Sequence, residues 1–261
     1  MLLALLLASS ASAHDYWLFP KTFTPDAGSD MRMLLLVGDD GDIEQIRPFE
    51  KERTPRLELW TAAGRADLLP DHPRRANPAV QTPAPATPGL ALLTLDRAAA
   101  EVVLDPETFA HHLESEGLTH LVHEHDGHAH VHGPQTDTFD RSLKVLLAVD
   151  GDSSGTVWSQ VVGQTLEIVL HSNPFDGPGP LGLTVLQDGE PVRNVKVEAV
   201  QRLGKAATPA VLADQTDRKG HATFTLTPGR WTLRATTAEA AGRDAWTSHW
   251  AAFSIQVPEA E

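Results

Sequence analysis

Thirteen histidines, thirty-five aspartates and glutamates and no cysteine set the chemistry open to this chain of 261 residues. Six of the histidines, His120, His123, His125, His128, His130 and His132, crowd into thirteen residues with Glu124 and Asp126 between them. Imidazole is mostly neutral at pH 7 and in that form binds nickel, cobalt, copper and zinc, while interleaved carboxylates add oxygen ligands and offset a cation's charge. The spacings of 3, 2, 3, 2 and 2 match neither an HExxH helix nor a zinc finger, and Gly127 with Ala129 predicts a loop. Two readings stay open: a tract that collects metal ions as its biological role, and a solvated loop with incidental affinity.

His14 is a second centre. Residues 1–13, MLLALLLASSASA, combine an apolar run from Leu2 to Ala8 with a small-x-small cleavage pattern at Ala11-Ser12-Ala13, although no basic residue precedes Lys21. Cleavage after Ala13 makes His14 the mature terminus, where one residue offers both an α-amino group and an imidazole to a metal. A second imidazole, from His171, His221 or His249, would complete a three-nitrogen brace of the kind that suits copper. The plain alternative is a frayed terminus left by the peptidase, against which stands the apolar run Tyr16-Trp17-Leu18-Phe19, suited to docking in a sheet.

The remaining reactive residues have simpler explanations. His111 with Glu107 and His112 with Glu116 are i, i+4 pairs on an expected helix, a spacing that favours surface pairing. In Ser248-His249-Trp250 a satisfied, half-buried histidine is the ordinary account, with metal ligation as the alternative. Asp188, Asp214 and Asp217 lack calcium-loop spacing and fit turns. No G-x-S-x-G elbow, phosphate loop or dinucleotide fingerprint is present, and Ser142, Ser153 and Ser154 have no orienting partner, so no catalytic residue is assigned.

A net charge of −14, carried wholly by residues 14–261, disfavours nucleic acid and favours cations. The lack of cysteine removes disulfides, thiolate ligands and thiol catalysis from a chain expected to be exported. Beyond the signal no run approaches the roughly 20 apolar residues of a membrane span.

The elements that must position these groups are mostly strands. Met31–Val37, Leu57–Trp60, Leu90–Leu95 and Glu101–Leu104 have strand character, six prolines between Pro70 and Leu90 predict a loop outside any sheet, and Pro106–Gly117 predicts a short helix. After Gly163 six strand-like runs follow, Leu166–Leu170, Leu181–Leu186, Val192–Val200, His221–Leu226, Trp231–Ala235 and Ala251–Val257, separated by turn signals such as Asp188-Gly189 and Pro228-Gly229. The expected class is all-β, with two sandwich-like domains: residues 14–155, holding the helix, the Pro-rich loop 70–90 and the His-rich loop 120–132, and residues 163–257.

The segment LTVLQDGEPVRNVKVEAV and the later TDRKGHATFTLTPGRWTLRA resemble sandwiches of the transthyretin-like, carboxypeptidase-regulatory and collagen-binding-repeat type, an immunoglobulin-like architecture, with Phe224 and Trp231 filling the core. Together with His14-Asp15-Tyr16-Trp17-Leu18, Glu116-Gly117-Leu118 and Leu166–Val169 ahead of Asn173-Pro174, the chain resembles the DUF4198 family. That resemblance implies a periplasmic protein with a NikM-like label and a link to nickel or cobalt uptake. The expectation is therefore a periplasmic protein that captures, buffers or delivers nickel, cobalt, copper or zinc to an inner-membrane transporter. Its alternatives are a copper oxidoreductase built on His14 and a structural or adhesive sandwich with incidental metal binding.

Overall fold

The computed structural model describes residues 15–38, 42–118, 120–121, 133–202 and 209–260. In chain order the first half gives β1 (Asp15–Pro20), β2 (Asp30–Gly38), β3 (Gln45–Arg47), β4 (Phe49–Glu50), β5 (Arg56–Thr61), β6 (Gly64–Asp67), β7 (Arg75–Ala76), β8 (Val80–Pro83), β9 (Gly89–Leu104), the helix α1 (Pro106–Ser115) and β10 (Gln135–Val149). The second half gives β11 (Leu166–Leu170), β12 (Gly179–Gln187), β13 (Glu190–Pro191), β14 (Lys196–Gln201), β15 (Val211–Gln215), β16 (His221–Leu226), β17 (Gly229–Ala240) and β18 (Ala245–Val257). The all-β class is observed.

A central eight-stranded sheet runs β15-β14-β17-β18-β10-β9-β5-β6. Its two halves come from opposite ends of the chain and join where β10 pairs in parallel with β18, from Thr136 opposite Ala245 to Val145 opposite Ser254. Alternation along the long strands sends side chains to two separate cores. Leu143, Val145 and Leu147 of β10 face the sheet of β1, β2, β3 and β8, whereas Leu146 and Ala148 face the sheet of β11, β12, β13 and β16. A third, smaller cluster forms where α1 packs Phe109 and Leu113 against Val102, Leu104 and Trp246 at one end of the central sheet.

Differences from expectation have local causes. Leu90–Leu95 and Glu101–Leu104 belong to one 16-residue strand, β9, because β10 pairs along its whole length through a bulge between Phe139 and Arg141. The Pro-rich stretch is not wholly a loop: Val80–Pro83 pairs with β2, and Ala79, Val80 and Ala84 are buried. Pro83 is tolerated there because β8 lies at a sheet edge and no ladder requires its missing N–H. Helix α1 ends two residues earlier than expected, capped at the front by Asp105, whose carboxylate accepts from the Thr108 N–H at 3.0 Å.

Phe224 and Trp231 are both in the core, 3% and 1% exposed. Truncating either to Ala should cost about 3–5 kcal/mol, as for other large buried aromatics; urea unfolding followed by tryptophan fluorescence or circular dichroism measures this, and a loss below 1 kcal/mol would contradict their role.

Candidate functional site

Of the histidines singled out in the sequence, His14, His123, His125, His128, His130 and His132 lie outside the described residues. His120 is exposed, five residues beyond the end of α1. His249 is on β18 and directs Nδ1 to Asp140 Oδ2 of the neighbouring β10 at 2.9 Å, a contact that raises its pKa above the usual histidine range despite partial burial. His171 follows β11, with Nε2 2.6 Å from Thr184 Oγ1, and its pKa is lowered by burial and by His221. His249 and His171 are not brought together: His249 has the parity of Ala251 and Phe253 on one face of the central sheet, and His171 is on the outer face of the smaller sheet that covers it. Among the described residues no three histidines and carboxylates are grouped so as to hold a metal ion.

The site that sequence reasoning missed is on the opposite face of the central sheet, where β1 meets the end of α1. Asp15, the first described residue, is 6% exposed and ion-paired with Arg234 of β17. Arg234 also donates from Nε to Glu198 Oε2 of β14 at 2.6 Å, and Lys196 Nζ lies 2.6 Å from Glu198 Oε1. Glu116, at the C-cap of α1, accepts a 2.7 Å hydrogen bond from the Thr236 hydroxyl. Thr232, Arg234 and Thr236 alternate with the core residues Trp231, Leu233 and Ala235, so the ionic layer follows from strand periodicity.

Electrostatics in this layer are strongly coupled. Burial opposes the charge on Arg234, yet the carboxylates of Asp15, Glu198 and Glu116 raise its pKa above the ordinary arginine value. Glu116 is pushed up to about 7, first by burial and then by the Asp15 charge. Beside them Arg141, pushed down to about 10 by burial, is stacked over Tyr16 at 4.1 Å, Phe139 at 4.4 Å and Trp250 at 5.5 Å. Arg202 covers Trp17 at 3.8 Å. Asp15, Tyr16, Trp17, Arg202, Arg234 and Trp250 line a small crevice, and His112 of α1 stacks on Trp250 with ring centroids 5.2 Å apart. His112 thus contacts the face that carries Asp15, whereas His249 and His171 do not. Its partner is an aromatic ring, an interaction that the spacing to Glu116 did not suggest.

A family model described as "Domain of unknown function (DUF4198)" matches residues 11–239. The chain belongs to the DUF4198 family. No curated protein matches it. Among solved structures, the D0-D1 domain of Intimin is 14% identical and covers 90% of this chain and 96% of its own, with a TM-score of 0.22. The D00-D0 domain of Intimin is 17% identical, covering 95% and 100%, also with a TM-score of 0.22. A Salmonella alpha-2-macroglobulin is 11% identical over 91% of this chain and 14% of its own, with a TM-score of 0.20. Among the described residues no helix of this DUF4198 protein is long and apolar enough to cross a membrane.

The raised pKa of Glu116 has a defined sign. A carboxyl that holds its proton more tightly in the fold stabilises fully below its unfolded pKa of 4.5, and that contribution is lost as pH rises through about 7. Relative to Glu116→Gln, the native protein should therefore lose on the order of 2–3 kcal/mol between pH 5 and pH 8. Urea unfolding of both proteins at each pH measures the difference, and a constant difference would place the group's pKa in the ordinary range.

Proposed function

We propose that this DUF4198 protein is an exported, periplasmic protein that captures, buffers or delivers a transition-metal ion, nickel, cobalt, copper or zinc, to a partner at the inner membrane. The observation that carries this reading is the set of six histidines within residues 120–132, interleaved with Glu124 and Asp126. The flanks of this stretch support it. On one side α1 is fastened by Phe109 against Trp246 at 5.0 Å, by Glu116 to Thr236 and by the Ser115 carbonyl, which accepts from Lys196 Nζ at 2.7 Å. On the other, Gln135 accepts from Trp246 Nε1 at 2.9 Å. Both flanks thus converge on Trp246, and histidines strung between them can gather ions without any cost to the core. The acidic net charge agrees with a cationic cargo.

A specific observation favours a second reading, a copper site at His14. The residue that follows it, Asp15, is buried and ion-paired, and strand β1 runs on from there across β10 and β18. Among the described residues, the imidazole that contacts the face carrying Asp15 is that of His112 rather than His171, His221 or His249. In this reading the DUF4198 protein is a copper oxidoreductase; in the first it is a carrier.

Calorimetry with Cu(II), Ni(II) and Zn(II) separates them. Replacing the six histidines of 120–132 with Gln should lower the number of bound ions and leave the thermal transition unchanged; unchanged stoichiometry would remove the carrier reading. His14→Gln should abolish the tightest copper site and alter the paramagnetic resonance of the one-equivalent Cu(II) complex; unchanged affinity and spectrum would remove the copper-site reading.

A further inference from the structure

The outer face of the sheet β11-β12-β13-β16 carries a pair of imidazoles that neither reading uses. His171 follows β11, whose Leu166, Ile168 and Leu170 point into the core, and His221 opens β16; both are exposed. Strand β12 lies between them. The His171 N–H donates to the Gly182 carbonyl at 2.9 Å, and the ring lies along β12 with Nδ1 over Gly182, where a Cβ would come within 3.0 Å. Its Nε2 reaches Thr184 Oγ1 at 2.6 Å, and Thr184 is the residue directly opposite His221 in the β12–β16 register. The ring of His171 is therefore aimed across β12 at His221. The two ring centroids are 4.9 Å apart with an interplanar angle of 83°.

That separation matches what two ligands of one ion require. With metal–nitrogen bonds of about 2.0–2.1 Å, an imidazole centroid sits about 3.2 Å from the metal, so two rings subtending about 90–110° have centroids about 4.5–5.2 Å apart. We propose that His171 and His221 form a two-histidine site for a single divalent copper, nickel or zinc ion, with water in the remaining positions. Copper binds tightest, following the general order for nitrogen ligands. Binding exchanges the hydrogen bond between Thr184 and Nε2 for a coordinate bond. The exposed His221 ring turns about its own side-chain torsions to bring a nitrogen to the ion. The backbone does not move, because His221 is in β16 and the His171 N–H, just past β11, is held by the Gly182 carbonyl. The Asp217 carboxylate, which accepts from the N–H groups of His221 and Lys219, supplies negative charge beside the site, and the Lys219 ammonium opposes part of it. This site is distinct from residues 120–132 and from His14 and stands whether or not those bind metal.

The test uses the full chain with His14 and the six histidines of 120–132 changed to Gln, which removes both other sites. Titration with Cu(II) alone, read by calorimetry and paramagnetic resonance, should give one ion with nitrogen hyperfine structure. His171→Gln and His221→Gln should each weaken it by about 10- to 100-fold or abolish it, and Thr184→Val should retain it. Thermal unfolding by circular dichroism establishes that every variant is folded. Absence of a copper site in the background protein, unchanged affinity in both His variants, or loss in only one of them would overturn the proposal.

Discussion

The parallel ladder between β10 and β18 is the constraint on which both cores rest. It joins strands whose paired residues are more than a hundred positions apart in sequence, and without it the central sheet would fall into two separate pieces. Both faces of β10 are covered, so its side chains must suit two cores at once. Most do so with leucine, valine and alanine, but Lys144 is buried, 2% exposed. Its ammonium is met by Glu167 Oε1 at 2.7 Å and the Ile168 carbonyl at 3.0 Å. Glu167 accepts in addition from the N–H groups of Val162, Gly163 and Gln164. A buried ion pair is tolerable when its remaining hydrogen-bonding capacity is satisfied in this way. The same hydrogen bonds fix the turn through which the chain passes from the first half of the fold to the second.

The ionic layer over the other face follows a related logic with a different outcome. Asp15, Glu198 and Glu116 gather around Arg234, with Lys196 beside Glu198 and Arg141 within electrostatic reach of Asp15. Glu116 is pushed up to about 7 there, first by burial and then by the charge of Asp15. The layer links the first described strand, the end of the helix and the central sheet, so the strand that follows His14 and the helix that precedes residues 120–132 are tied to a single network of charges.

Legibility in the sequence tracked the simplicity of each element's surroundings. Leu166–Leu170 and His221–Leu226 were readable to the residue because hydrophobic character and turn signals bound them cleanly. Helix α1 was readable from Pro106 and Gly117. β10, the centre of the sheet, was not recognised: Asp137, Asp140, Arg141 and Lys144 interrupt its apolar run, and only their partners on β18 and β11 account for burying them. β15 escaped for the opposite reason, since it is an edge strand with mostly exposed side chains and no alternation to detect. The site around Arg234 draws on four separate elements, β1, α1, β14 and β17, and no spacing along a single chain encodes that convergence. The pairing of His171 with His221 likewise depends on the register of β12 with β16, although both residues stood out as histidines.

The position of β18 also sets the order in which the fold can close. A chain made from its N-terminus has β9 and β10 available early, but the other edge of β10 stays unpaired until the last strand emerges. An open edge is where strands of different molecules add to one another. The charges that hid β10 in the sequence are the kind that discourage such addition, because a stranger's strand would have to cover Asp137 and Asp140 without Ser248 and His249, and Arg141 without the ring of Trp250, to receive them. The residues that make β10 a poor strand by composition thereby reserve its edge for β18, at the cost of a slow, non-local closing step.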